Sequence, residues 1–305
     1  MKPAPFRYLR PTSVEEALGM LADPGAKVLA GGQSLVPLLS MRLAEPAALV
    51  DVNWLPDAAA LRLDAAALRV GCLTRHRAVE RHGGHSAVLA EALAQLAHPA
   101  IRNRGTVVGS LAHADPAAEL PAVLRLLDGS VEAVSAARGR RVIPAAAFVL
   151  GPLESALAPD ELAVAATVPR PPPGAGTAWR EVSRRRGDYA LVGVGALVAA
   201  DATGVVDRAV VCLTGVGGAP VLVDVSADLA SEWVGSLPAA LAGGDLAASV
   251  VARVGGAVEP EADIHASAAY RAELAGVLTR RALAAAAADA VARRSGADAA
   301  GGADG

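Results

Sequence analysis

Residues 12–21 read TSVEEALGML, with two small hydroxyl residues, two acids, and apolar positions at Val14, Ala17, Leu18 and Leu21. That spacing predicts an amphipathic helix, with Thr12 or Ser13 as N-cap and Glu15 and Glu16 favourably placed in the first turn. The next apolar run, AKVLA at 26–30, is short and stops at paired glycines, which predicts a buried strand. LLSMRLAEP at 38–46 predicts a second helix ended near Pro46, and ALVDV at 48–52 a further strand. Helix, strand, glycine turn, helix and strand in so short a stretch make an α/β unit.

From about residue 60 to 170 the periods mix. ALRVGC at 67–72 alternates as a strand does, while TRHRAVERH at 74–82 and AVLAEALAQLAH at 87–98 are helical. TVVGSLAHADPAAELPAVLRLL at 106–127 passes from a glycine turn into a helix, and RRVIPAAAFV and ELAVAATVP are strand-like. RPPPGAG at 170–176 favours extended polyproline geometry and predicts a linker. Beyond it, TAWREVSRR, ALVGVGALVAAD and VDRAVVCLTGVGGAPVLV read as strands and are followed by alanine-rich helices, an α+β order. The last residues, 286–305, grade into a Gly/Asp/Ala-rich flexible tail.

Composition narrows the class. A chain of 305 residues has room for about two domains with sizeable cores. It is 53% apolar but only 3% aromatic, so small side chains do most of the packing. A net charge of −3 offers no field to gather a polyanion, which argues against nucleic acid as a partner. No apolar run reaches the roughly 18 residues of a membrane span, and MKPAPFRYLRP has no signal-peptide core, so the expected location is cytoplasmic. Cys72 and Cys212 lie far apart in strand-like runs and read as core thiols. The histidines fall in unrelated contexts without metal-ligand spacing, so no metal site is expected.

Two glycine turns carry candidate chemistry. A strand, the pair Gly31–Gly32 and a helix can present backbone N–H groups to a phosphate, although AGGQSL has neither the P-loop ending nor the Rossmann spacing. On spacing alone an ordinary tight turn competes with that reading. In GTVVGSLAHADP, Thr106 and Ser110 offer hydroxyls to phosphate oxygens and Gly109 admits the ligand; the alternative has Asp115 capping a helix that begins at Pro116. Glu119 is either a partner for a ribose or ribityl hydroxyl or a solvated carboxylate. Arg184–Arg186 read as a solvated or partner-facing edge, and Tyr189 as a core anchor or a stacking surface for a planar cofactor.

Taken in order, FRYLRPTSVEEALGML, VLAGGQSLVPLLSMRL, PAIRNRGTVVGSLAHADPAAELPA, RRGDYALVGVGALV and SAAYRAELAGVLTRRAL resemble the FAD-binding medium subunit of molybdenum hydroxylases, the group of the carbon monoxide dehydrogenase medium subunit and the xanthine dehydrogenase flavin domain. The resemblance spans residues 1 to about 285. It implies an α+β protein: an FAD-binding domain of vanillyl-alcohol-oxidase-like type made of two α/β subdomains, 1–56 and 57–172, then a C-terminal α+β domain, 173–285. It implies that Ala30, Gly31, Gly32, Gln33 and Ser34, flanked by Leu29 and Leu35, wrap the FAD pyrophosphate. Thr106, Val107, Val108, Gly109 and Ser110 would contact the cofactor from the other subdomain, Glu119 would lie near its ribose or adenine end, and Tyr189 beside the isoalloxazine ring.

The implied role is electron transfer. A molybdopterin-binding large subunit would oxidise substrate, a small subunit would relay electrons through [2Fe–2S] clusters, and FAD would pass them to NAD, quinone or oxygen. No catalytic acid, base or nucleophile is required of this chain. Two isolated cysteines cannot hold a [4Fe–4S] cluster. Two departures stand out: Val108 occupies the first position of a family Gly-Gly pair, and Glu119 replaces the usual Asp. A Val108 forced to φ > 0 would be strained and weaken FAD, whereas a permitted φ would let it point away. Strain there would favour a flavin-free scaffold of the same fold; a self-sufficient flavin oxidoreductase is the remaining alternative.

Overall fold

A computed structural model describes residues 2–301. Helix Val14–Leu21 forms as its pattern requires: the Ser13 hydroxyl accepts from the Glu16 N–H at 3.1 Å, and the Glu16 carboxylate accepts from the Thr12 N–H at 2.6 Å. The first satisfies a donor that the first turn leaves over, and the second ties the residue before the cap back to that turn. Ala17, Leu18 and Leu21 are buried.

The chain divides into two units. The first takes residues 1–83, 97–115 and 128–169. Its strands are β1 (Arg7–Leu9), β2 (Ala26–Leu29), β3 (Ala48–Asp51), β4 (Leu61–Leu63), β5 (Ala67–Gly71), β6 (Ser130–Ser135), β7 (Gly139–Pro144), β8 (Val149–Gly151), β9 (Glu154–Ser155) and β10 (Glu161–Pro169). Among the described residues, one sheet has the order β1-β3-β2, all parallel, with fully buried β3 in the middle. A second runs β4-β5-β10-β6-β7, all antiparallel, and β8 pairs with β9. The helix after the first glycine turn covers Leu35–Met41 rather than reaching Pro46. Pro37 sits in its first turn, where a missing N–H costs nothing, and Arg42 ends it in the left-handed region at φ 57°.

Among the described residues, the second unit takes 84–96, 116–127 and 170–301. Strands β11 (Gly176–Ser183), β12 (Ala190–Ala200), β13 (Val206–Thr214) and β14 (Val221–Asp224) form one antiparallel sheet in that order. Alternation sorts β12: Val192, Val194, Ala196 and Val198 share a core with Ala275, Leu278, Ala282, Leu283 and Ala286 of the long helix Ala268–Gly301. On its other side, Gly193 lies against the Trp179 ring and Gly195 against Leu126 and Val88. The long helix passes through the predicted tail, with Ala286, Ala287 and Ala290 buried; residues 302–305 of that tail lie outside the described residues.

Cys72 and Cys212 are unpaired core thiols, pushed up by burial to about 11 and about 12. No helix among the described residues is long and apolar enough to cross a membrane.

Candidate functional site

The first unit brings the two glycine segments together. β2 ends at Leu29, and Ala30–Ser34 turn the chain into helix Leu35–Met41, every residue from Leu29 to Leu35 half-buried. Gly32 holds φ 73°, a conformation a β-substituted residue resists. Gly31 is required for a different reason: a Cβ there would lie 2.5 Å from the Arg104 carbonyl oxygen and 2.8 Å from the Gly105 Cα. The backbones of the two loops are pressed onto each other at this point. The Gln33 side-chain amide closes the first loop by donating to the Gly31 carbonyl at 3.1 Å.

The second segment is the start of a helix, not an open glycine turn. Thr106 is the N-cap of helix Val107–His113, its hydroxyl accepting from the Gly109 N–H at 3.1 Å. A Cβ on Gly109 would lie 2.5 Å from that hydroxyl oxygen, so the cap and the glycine go together. Thr106, Val107 and Val108 are buried, while Gly109 and Ser110 are half-buried. Val108 is helical and 2% exposed, and it is not among the described non-glycine residues at positive φ. Of the two alternatives for Val108 the permitted φ holds, because the helix supplies a φ that a β-branched residue accepts. Asp115 does not cap a helix at Pro116: the next helix is Glu119–Leu126 with Ala118 as its N-cap. The Thr214 hydroxyl donates to the Pro116 and Ala118 carbonyls at 2.7 and 3.0 Å and fixes that turn from β13.

Segment 74–76 backs the second loop in an antiparallel bridge. The His76 N–H donates to the Gly105 carbonyl and the Val107 N–H to the Thr74 carbonyl, both at 3.0 Å. The His76 ring fills the space under Gly105, and burial pushes its pKa down to about 4, so it is neutral at pH 7.

Sequence reasoning missed Asp51, Asn53 and Arg75. The Asn53 side-chain amide donates to the Ala30 carbonyl at 2.8 Å and to Asp51 Oδ1 at 2.6 Å. Arg75 donates through Nη2 to Asn53 Oδ1 at 2.7 Å and through Nη1 to the Arg104 carbonyl at 2.5 Å. Asp51 also accepts from the Asn53 N–H at 3.1 Å and from the Tyr8 hydroxyl. Burial alone would raise its pKa, but these hydrogen bonds outweigh it and hold the carboxyl below its ordinary value. The available signal was DVN at 51–53, which puts the polar residues Asp51 and Asn53 at and just beyond the end of the buried parallel strand β3.

Glu119 and Tyr189 belong to the second unit. Glu119 is buried, which removes the solvated-carboxylate reading. Tyr189 is 65% exposed, so it is not a core anchor. Arg271, from the long helix, donates to the carbonyls of Leu191 at 2.5 Å and Gly215 at 3.4 Å and fixes the chain just past Tyr189.

Half-buried backbone turns pressed together and closed by side-chain amides are suited to a phosphate-bearing ligand, and comparison with known proteins agrees. Residues 4–171 match the FAD binding domain in molybdopterin dehydrogenase, and residues 177–286 the CO dehydrogenase flavoprotein C-terminal domain. The 6-hydroxypseudooxynicotine dehydrogenase complex subunit alpha of Paenarthrobacter nicotinovorans is 42% identical over 93% of this chain and 95% of its own. The carbon monoxide dehydrogenase medium chain of Afipia carboxidovorans is 32% identical over 93% and 97%. In the crystal structure of quinoline 2-oxidoreductase from Pseudomonas putida 86, one chain superposes with a TM-score of 0.85 at 33% identity, covering 95% of this chain and 99% of that one. The class is thus an α+β oxidoreductase flavoprotein whose cofactor is FAD. The chain belongs to the family of FAD-binding medium subunits of molybdenum hydroxylases, the electron-transfer flavoproteins of such enzymes.

Proposed function

We propose that Leu29, Ala30, Gly31, Gly32, Gln33, Ser34 and Leu35, together with the capped turn Thr106–Ser110, hold the FAD pyrophosphate in this chain. The observation that carries this is the seating of Gly31 on the Arg104–Gly105 backbone, which gives one ligand two adjacent backbone surfaces. Gly109 and Ser110 are the accessible members of the second turn, with Thr106, Val107 and Val108 as its buried support. Both following helices have seven residues, so nearby N–H groups matter more here than a long helix dipole. The assignment of Glu119 to the ribose or adenine end and of Tyr189 to the isoalloxazine rests on the family resemblance. On the same ground we take 1–56 and 57–172 as the FAD-binding subdomains and 173–285 as the C-terminal domain.

Held by these loops, FAD would supply the redox chemistry of the subunit, between the [2Fe–2S] clusters of a small subunit as proposed electron source and NAD, quinone or oxygen as proposed acceptor. The protein's own task is to bind and orient the cofactor, and no residue is asked to act as acid, base or nucleophile. A molybdopterin-binding large subunit would choose the substrate. The relatives named above carry the names of a 6-hydroxypseudooxynicotine dehydrogenase, a carbon monoxide dehydrogenase and a quinoline 2-oxidoreductase, so membership of the family does not fix one substrate. Unpaired, buried Cys72 and Cys212 are compatible with a cytoplasmic location.

Two measurements test this reading. The purified chain should show oxidised-flavin bands near ~370 and ~450 nm; a preparation that is colourless after incubation with FAD and removal of the free cofactor refutes it. Purification at native stoichiometry should bring down an iron–sulfur subunit and a molybdopterin subunit, and recovery of the chain by itself counts against the proposed partners.

A further inference from the structure

The two loops are joined by side chains as well as by contact. Asn53 donates to Ala30 of the first loop, and Arg75 donates to Arg104 of the second while also donating to Asn53. One side-chain pair therefore spans both backbones. A single orientation of the Asn53 amide serves all its partners: its nitrogen donates to Ala30 and Asp51, and its oxygen accepts from Arg75. Asp51, buried at the end of β3 and held by the Tyr8 hydroxyl, anchors that orientation to the sheet.

The consequence lies in the peptide planes. The Ala30 carbonyl and the Gly31 N–H belong to one planar trans peptide and point in opposite directions. With the carbonyl held by Asn53, the Gly31 N–H is directed away from Asn53. The Arg104 carbonyl is the atom a Gly31 Cβ would strike, so in fixing it Arg75 sets the surface on which Gly31 rests. Arg75 has one guanidinium nitrogen for each acceptor, a fork that a lysine ammonium does not reproduce.

We propose that Asn53 and Arg75 are positioning residues for the FAD pyrophosphate loops, a chain of two side chains that locks Ala30 to Arg104 before the cofactor arrives. This rests on the reading that these loops hold FAD. Pre-ordering the loops removes an entropic cost from binding, so its loss should appear in cofactor affinity rather than in folding.

The test titrates FAD into the flavin-stripped full-length chain and follows flavin fluorescence, with thermal melts of the apoprotein alongside. Asn53→Ala and Arg75→Ala should each raise the Kd for FAD roughly fivefold, the worth of about one hydrogen bond. The double variant should lose less than the product of the two, because the pair acts as one chain. Arg75→Lys should recover part of the affinity. Apoprotein melting should stay near that of wild type. Single variants that bind FAD within twofold of wild type overturn the proposal, and so do variants whose melting falls while affinity is kept. If Gly32→Val weakens FAD but Asn53→Ala and Arg75→Ala do not, this inference fails while the loop assignment stands; a wild-type chain that takes up no FAD overturns both.

Discussion

Gly31 and Gly32 are adjacent and identical in the sequence, yet they answer to different constraints. Gly32 needs a left-handed φ, while Gly31 needs the missing Cβ because another backbone occupies that space. Gly32→Val should therefore weaken FAD binding at least ~tenfold, through backbone strain of about 1–3 kcal/mol and side-chain bulk, read by titration on protein that still folds by circular dichroism. His76 gives a pH signature. Its folded pKa is depressed to about 4 from an unfolded value near 6.5, so its contribution to stability is complete above ~6.5 and is lost as pH falls through 4. Over that window wild type should lose on the order of 3 kcal/mol more than His76→Gln in urea denaturation; a constant difference between the two would show that the imidazole is not linked to folding. Val108 shows why residue identity alone misleads. A valine in place of glycine predicts strain only if the position is a turn, and here it is the second residue of a helix.

At the scale of elements, caps decide where helices begin. Thr106 and Gly109 act as one device, since the capping hydroxyl occupies the place of a Gly109 Cβ. Thr106→Ala should cost about 1 kcal/mol. Gly109→Ala should cost more in the wild-type background than when combined with Thr106→Ala, where the clash is relieved; equal costs would separate the two residues. Helix Val14–Leu21 was legible because its cap, first-turn acids and apolar face all agree, and Ser13→Ala should likewise cost about 1 kcal/mol in thermal unfolding. The end of helix Leu35–Met41 was not legible. Pro46 looked like its stop, but Arg42 ends it earlier in a left-handed conformation that no local rule assigns to arginine.

At the scale of the molecule, the two units are interleaved along the chain. Helices Ala87–Gln95 and Glu119–Leu126 lie in sequence among segments of the first unit but pack with β11–β13 in the second, where the Trp179 N–H donates to Glu91 at 2.6 Å and Leu126 and Val88 face Gly195. A fragment ending at residue 171 should leave Val88, Leu120 and Leu126, all nearly fully buried, without their sheet. Such a fragment should aggregate in gel filtration under conditions where the full chain elutes as a discrete species; a monodisperse fragment would contradict this packing. What the sequence determined by itself was local or ordered: the capped first helix, the strands of one period, the paired glycines, and the succession of motifs that identified the family and its FAD. What only the tertiary structure decided was proximity. The contact of Gly31 with Arg104, the chain from Ala30 through Asn53 and Arg75, and the neutral imidazole under Gly105 join residues far apart in sequence, and no local periodicity records a contact made by folding.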